Sequence, residues 1–138
     1  MNDAIIKFVN ILKKNDLSIT LPRKLVFEAL YSFGLQTMRQ LIDRCKESDR
    51  ASIYRTVSTL ESIGVINRIP QGFKYKIELS EEFLPHHHHI VCSRCGRHSD
   101  VEQESLESLL KTMAKAKDYE LLSHKVELVG LCANCSNK

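Results

Sequence analysis

The sequence lacks any long apolar run. No stretch reaches the roughly 18 to 20 apolar residues that a membrane-spanning helix needs. The opening residues, MNDAIIKFVNILKKND, place charges among the apolar positions and lack the basic, apolar and small-residue order of a signal peptide. There is no internal repeat, and the one low-complexity run is four consecutive histidines, residues 86–89. We therefore expect a soluble, cytoplasmic protein with no membrane partner.

Charge is unevenly distributed along the chain. Residues 1–77 hold 13 Lys and Arg against 7 Asp and Glu, whereas residues 78–138 hold 7 against 10. The first half therefore suits a polyanionic partner and the second suits cations. With 138 residues, the chain can bury one modest apolar core or two small ones. Two small cores would each need additional stabilisation, for example by a bound metal ion.

Four of the five cysteines form two CxxC pairs, Cys92/Cys95 and Cys132/Cys135. In a reducing compartment such pairs are more typical of zinc ligands than of disulfides. The pairs are separated by 36 residues, so the metal would tie the first strand of a unit to its end. Four sulfurs close the coordination sphere, which predicts a structural zinc site. The alternative is a thioredoxin-like redox motif. The fifth cysteine, Cys45, is interpreted as a small buried apolar residue.

Helical periodicity and cap residues predict four helices in the first half of the chain. They run from Ile5 to near Asn15, from a cap at Thr20 to near Gly34, from a cap at Thr37 through Cys45, and from a cap at Ser48 or Asp49 to Gly64. The strand-like runs VINRI and KYKIEL follow, joined by Pro70, Gln71 and Gly72 as a hairpin. This order predicts a winged helix-turn-helix.

The second half predicts a small α/β unit, so the fold class as a whole is α+β. We expect a strand at HHHHIVC, a second near 99–102, a helix over 104–116 and a strand at ELLSHKVELVGLC. The predicted domains are residues 1–79 and 86–138, with SEEFLP, 80–85, as the linker between them.

The four histidines divide between the two faces of a strand. Successive side chains of a strand alternate, so His86 and His88 point one way and His87 and His89 the other. This predicts two metal sites, one on each face, and imidazole with carboxylate suits borderline divalent ions. The alternative is that some of these histidines are surface polar residues, and we interpret His98 in that way. The further candidate donors are His124, Glu78, Asp100, Glu102, Glu104 and Glu107.

Several motifs in order carry a resemblance to a known family. TLPR, ASIYRTV, HHHHIVCSRCG, LLSHKVEL and GLCANCS together resemble the ferric uptake regulator family of bacterial metal-dependent repressors, which includes a peroxide-sensing branch. The resemblance covers essentially the whole chain. It implies a homodimer whose winged helix reads DNA, whose carboxy-terminal unit dimerises, and in which a regulatory metal joins the two.

The resemblance also assigns residues to sites. It implies a structural zinc on Cys92, Cys95, Cys132 and Cys135, a regulatory metal on the hinge side at Glu78, His87, His89 and Asp100, and a second metal site at His86, His88, Glu107 and His124. The implied cofactors are structural Zn²⁺ and a regulatory Fe²⁺ or Mn²⁺, with Zn²⁺ as the other candidate.

One position departs from the family pattern. The histidine that usually precedes the third helix is Leu35 here, and leucine cannot ligate. Either the site closes with fewer ligands, or a donor such as Glu61 or water completes it, or sensing is altered. Asp100 is typical of the peroxide-sensing branch, whereas Glu78 stands where zinc-sensing members often have cysteine.

The predicted function is a repressor of metal-homeostasis or peroxide-stress genes that binds a near-palindromic double-stranded operator. The fourth helix is expected in the major groove, with Arg50, Ser52, Tyr54 and Arg55 near bases or phosphates. The DNA backbone would be contacted by Arg23, Lys24, Arg68, Lys74 and Lys76. The rival functions are a DNA-binding regulator that has lost metal sensing and a metallohydrolase. We do not expect the protein to be an enzyme.

Overall fold

The computed structural model describes residues 2–71, 73–85, 87–101 and 104–137. The chain divides into two compact units, Met1–Pro70 with Lys74–Pro85, and Gln71–Phe73 with His86–Lys138. Among the described residues, no helix combines the length and the hydropathy that a membrane crossing needs.

The first unit is a set of four helices followed by a two-stranded hairpin. Its elements are α1 Asn2–Lys14, α2 Leu21–Phe33, α3 Met38–Arg44, α4 Arg50–Ser62, β1 Ile66–Gln71, whose last residue is grouped with the second unit, and β2 Lys74–Leu79. The second unit has the order strand, strand, helix, strand, helix. Its elements are β3 His88–Cys92, β4 His98–Val101, α5 Glu104–Ala116, β5 Glu127–Gly130 and α6 Ala133–Ser136. The mixed helix and sheet architecture confirms the predicted fold class.

Local hydrogen bonds begin α2, α3 and α4 at cap residues that the sequence predicts, whereas α1 begins at Asn2, earlier than the predicted Ile5. The Arg23 backbone N–H donates to Thr20 Oγ1 at 3.4 Å. Thr37 forms a capping box with Gln40, in which each side chain accepts from the other residue's backbone N–H. Of the two candidates for α4, Asp49 is the cap, since it accepts from the Ser52 backbone N–H at 3.1 Å. These bonds satisfy amides that the first turn leaves unpaired.

An apolar core holds the first unit together. Phe27 stacks on Phe8 with ring centroids 4.4 Å apart, and Phe83 meets Phe27 edge-on at 5.0 Å. The inward stripe predicted for α4 is confirmed, because Ile53, Val57 and Leu60 are all buried. The other buried core residues are Leu12, Val26, Ala29, Leu30, Met38, Leu41, Cys45, Val65, Ile66, Ile77 and Leu79.

A buried amide links α3 to the hairpin. Gln36 exchanges backbone hydrogen bonds with Ile77 at 2.9 and 2.7 Å. Its side-chain Nε2 donates to the Ala29 carbonyl at 3.0 Å, and its Oε1 accepts from Arg44 at 2.6 Å. The burial of Gln36 is therefore matched by hydrogen bonds, which fix the residue just before α3.

The first strand of the hairpin extends further than the sequence predicts. Pro70 and Gln71 belong to β1, so assigning them to the turn was wrong, and Gly72, the third residue assigned to the turn, lies outside the described residues. The sheet has two strands, so each strand has an outer edge where a proline without an N–H is tolerated. After the hairpin, the Ser80 hydroxyl donates to the Gly64 carbonyl at 2.7 Å, and Phe83 and Leu84 pack on the core of the first unit. The role of residues 80–85 as a hinge stays a prediction.

The second unit is built on a three-stranded sheet in the order β4-β3-β5. β3 pairs antiparallel with β4 and parallel with β5. The last strand is much shorter than the predicted run over residues 120–132. It is confined to Glu127–Gly130 because it can pair only along β3, where His89 faces Glu127 and Cys92 faces Gly130. α6 was not predicted.

Candidate metal centres

The two CxxC pairs meet in one cluster. Cys92 ends β3, and Cys132 precedes α6, which contains Cys135. One sulfur from each of Cys92, Cys95, Cys132 and Cys135 lies within 4.8 Å of all the others. The Cys95 and Cys132 sulfurs are 3.7 Å apart, close to the ~3.8 Å edge of a tetrahedron with Zn–S bonds of about 2.3 Å. The cluster therefore fits a structural zinc ion.

Backbone N–H groups lie next to two of the four sulfurs. The Cys132 N–H donates to Cys92 Sγ at 3.4 Å, and the Arg97 N–H donates to Cys95 Sγ at 3.5 Å. The bond from Cys132 contributes most to lowering the pKa of Cys92 to about 5. Since zinc binds the thiolate form of cysteine, this environment suits Cys92 as a zinc ligand. The sequence missed Arg94, whose Nη1 donates to the Cys135 carbonyl at 2.9 Å and so ties the two pairs together.

The lone cysteine has a different environment. Cys45 is buried in the core of the first unit, and this burial raises its pKa to about 11. The thiol therefore stays neutral at pH 7 and packs as a small apolar side chain, in keeping with the interpretation from the sequence.

A second cluster forms on one face of β3. Glu107 Oε1 lies 2.8 Å from His88 Nε2 and 2.9 Å from His124 Nε2. The three residues come from β3, from α5 and from the segment before β5, and they offer one ligand atom each within 4.8 Å. His88 is buried, and Glu107 and His124 are half-buried. His86, the fourth residue assigned to this site, lies outside the described residues.

The neighbouring histidine faces the other way. His89 stands opposite Asp100 in the β3–β4 register, and its Nδ1 lies 3.1 Å from Asp100 Oδ1. The ring of His87 lies 4.5 Å from that of His89, centroid to centroid. The side chains of His88 and His89 thus point to opposite faces of β3, as strand alternation predicts. His98, interpreted as an isolated surface residue, lies with its ring 6.0 Å from His89.

The remaining candidate ligands have varied environments. Glu78 is buried on β2 in the first unit, and its place in the regulatory site stays a prediction. Glu61 is bound by Arg68, Oε1 to Nε 2.7 Å, which argues against Glu61 as a substitute ligand. Leu35 is half-buried in the bend before α3. Glu104 is exposed in the first turn of α5, and Glu102 lies outside the described residues.

The outer face of α4 carries the predicted DNA-reading residues. Arg50, Tyr54 and Arg55 are exposed, and Tyr54 keeps 42% of its surface, which argues against a buried packing role. The Arg50 guanidinium lies 5.9 Å from the centre of the Tyr54 ring. Arg55 donates to Ser52 Oγ at 3.1 Å, which orders two of these side chains.

Among the residues predicted to contact the DNA backbone, the lysines and the arginines differ in their surroundings. Lys24 and Lys74 are exposed, and Lys76 is half-buried. Arg23 donates to the Ser18 carbonyl at 2.6 Å. Arg68 lies over the Tyr75 ring at 4.6 Å and is paired with Glu61. Contact between Arg68 and a phosphate would therefore compete with these internal partners.

A winged-helix unit with an exposed, charged face on α4, joined in sequence to a unit with clusters that could hold metal ions, is the combination expected of a metal-dependent DNA-binding regulator. The model of the ferric uptake regulator family matches residues 14–129. The ferric uptake regulation protein of Yersinia pestis is 32% identical over 133 residues, covering 90% of this chain and 88% of that protein.

Solved structures show the same fold. The ferric uptake regulator of Helicobacter pylori, described as having three functional metal binding sites, superposes with a TM-score of 0.80 at 22% identity, over 99% of this chain and 94% of that one. The Pseudomonas aeruginosa regulator, solved with manganese, gives 0.74 at 22% identity, over 88% and 95% of the two chains.

The chain belongs to the ferric uptake regulator family. Its class is therefore that of metal-responsive transcription regulators, which bind DNA and function as dimers, and the predicted family and function are confirmed. Structural zinc and a regulatory divalent metal are the cofactors of this class, and the four-cysteine cluster fits the former.

Proposed function

We propose that a divalent metal held by His87, His89 and Asp100, together with Glu78, promotes operator binding by this chain. The protein then represses metal-homeostasis or peroxide-stress genes. The observation that carries this proposal is the meeting of His89 and Asp100 at 3.1 Å on the strand face opposite to that of His88.

The donor chemistry supports Fe²⁺ or Mn²⁺ as the regulatory metal. Imidazole and carboxylate ligands suit both ions and also Zn²⁺, whereas four thiolates favour zinc. The three sites of the Helicobacter pylori regulator and the manganese in the Pseudomonas aeruginosa regulator support three sites here. We assign them to the cysteines, to His88 with Glu107 and His124, and to the His89 face. His86 joins the second of these by resemblance.

Regulation requires ligands that come together only in the DNA-binding arrangement. Glu78 lies in β2 of the first unit, whereas His87, His89 and Asp100 belong to the second unit. A bound divalent ion would supply the positive charge that holds carboxylates and imidazoles together. Ligands drawn from both units make binding stronger in one arrangement than in others, which shifts the population. A shift from 1:99 to 99:1 needs about 5.5 kcal/mol of differential binding.

The second unit supports a homodimer. In a single chain it exposes large apolar side chains on its sheet and on α5, among them Ile90, Leu109, Met113, Leu128 and Val129. A second copy would cover such surface. A two-fold pair would then present two α4 helices, which predicts a near-palindromic operator. We assign contacts with DNA bases or phosphates to Arg50, Ser52, Tyr54 and Arg55. Contacts with the DNA backbone are assigned to Arg23, Lys24, Arg68, Lys74 and Lys76.

The test is operator binding with and without metal. An operator duplex is first selected from random DNA by the zinc-loaded protein with Mn²⁺. Its affinity is then measured for wild type and His89→Ala, with Mn²⁺, with Fe²⁺ under anaerobic conditions, and with neither. We expect metal to raise wild-type affinity at least tenfold, and His89→Ala to abolish that rise while keeping its zinc.

Ser99→Ala is the matched control, since Ser99 is an exposed neighbour on the other face of β4. It should respond to metal as wild type does. Equal wild-type affinity with and without metal would instead support a regulator that has lost sensing. A normal metal response in His89→Ala would refute the assignment of His89.

A further inference from the structure

His98 shares a strand face with the candidate regulatory ligands. In the β3–β4 register, His89 stands opposite Asp100 and Val91 stands opposite His98. Residues two apart on a strand point to the same side, so His98 and Asp100 lie on one face of β4. The His89 and His98 rings are 6.0 Å apart, centroid to centroid, and nearly perpendicular at 84°.

These spacings fit imidazoles around one ion. Two histidines that ligate a metal at about 2.1 Å have ring centres no more than roughly 6.5 Å apart. The His87–His89 separation of 4.5 Å and the His89–His98 separation of 6.0 Å both lie within this limit. His98 is exposed, so its imidazole is accessible to an ion from solvent.

We propose that His98 is a ligand of the regulatory metal, so that three imidazoles and the Asp100 carboxylate form the site's donor set. This inference rests on the proposed function and replaces the interpretation of His98 as a surface residue. It explains how the site can be completed although Leu35 cannot ligate. His87, His89, His98 and Asp100 all belong to the second unit, so that unit holds four donors before Glu78 takes part.

The experiment measures metal binding without DNA. The zinc-loaded, full-length protein is titrated with Mn²⁺, and free Mn²⁺ is followed by electron paramagnetic resonance. His98→Ala removes the side chain, whereas His98→Gln keeps similar size and hydrogen bonding but has no imidazole. Even the residues that only orient metal ligands affect affinity by about 10- to 100-fold, so we expect both variants to lose at least tenfold at one site. Zinc content should not change.

The controls separate this inference from the proposed function. His124→Ala should lose the other Mn²⁺ site and keep this one, and His89→Ala should lose this one. Wild-type affinity in His98→Ala, or its recovery in His98→Gln, would overturn the role of His98 while leaving His89 in place. If His89→Ala and His98→Ala both bind Mn²⁺ as wild type does, the site as a whole is overturned.

Discussion

The two units bury very different kinds of side chain. The first has a continuous apolar core, with Phe8, Phe27 and Leu60 almost fully buried. In the described part of the second unit, none of the thirteen residues of α5 is buried, and the buried residues are Val91 and Gly96 with His88, His89, Cys92 and Cys135. The first unit is thus stabilised by apolar burial, whereas the second buries candidate metal ligands, and under the proposed function we expect its stability to depend on metal and on a partner copy.

The largest expected effect is loss of the second unit on removal of a zinc ligand. Structural zinc contributes an apparent ~10–16 kcal/mol in zinc-finger peptides. Cys92→Ser should therefore abolish zinc binding and dimerisation while α2 and α4 remain helical. Metal analysis, sedimentation and circular dichroism measure these outcomes. Cys45→Ala, a change to the cysteine buried in the first unit, should keep its zinc; zinc retained by Cys92→Ser would refute the site.

The reverse experiment damages the apolar core. Phe27 packs against Phe8, Tyr31 and Phe83. Phe27→Ala should cost the first unit about 3–5 kcal/mol and greatly weaken operator binding, with zinc retained. Thermal unfolding and zinc analysis check this. Phe33→Ala is the matched control, since Phe33 is exposed and its contact with Arg44 is worth about 1 kcal/mol. Equal losses in the two variants would contradict the account.

A smaller and more local effect is expected at the second metal cluster. His124→Ala removes one of two imidazoles on Glu107, so the variant should bind one Mn²⁺ fewer per chain and keep its four-cysteine zinc. Equilibrium dialysis with metal analysis measures the stoichiometry. The exposed neighbour Ser123 provides the control variant Ser123→Ala. An unchanged stoichiometry in His124→Ala would show that the cluster is an ordinary hydrogen-bond group.

The smallest effect concerns the capping box of α3. Thr37→Ala leaves the Gln40 N–H without its acceptor and should cost about 1 kcal/mol in the first unit. Gln40→Ala removes the reciprocal bond to the Thr37 N–H and should cost less. Urea unfolding of both variants gives the two values. A change in zinc retention in either variant would argue that the units are not independently stabilised.

Local signals explain what the sequence predicted well. Thr20, Thr37 and Asp49 act within three residues of themselves, so their caps could be recognised from spacing. Strand alternation likewise predicts that His88 and His89 point to opposite faces, as they do. Both inferences depend on backbone geometry that neighbouring residues determine.

Distant partners explain what could not be predicted. The length of β5 depends on β3, which is far away in the chain and only five residues long. The bond from Arg94 to the Cys135 carbonyl spans 41 residues, and Gln36 becomes a buried linker only when Ile77 pairs with it. The closeness of His98 to His89 follows from the β3–β4 register, which the sequence alone left open.

Hydrogen exchange during zinc removal tests the contrast between the units most directly. The wild-type protein is treated with a chelator and reductant, and amide exchange is followed by mass spectrometry. We predict loss of protection in β3, β4 and β5, retained protection in α2 and α4, and recovery when zinc is restored. Protection that persists in the second unit after zinc has left, or that disappears from both units together, would contradict the account.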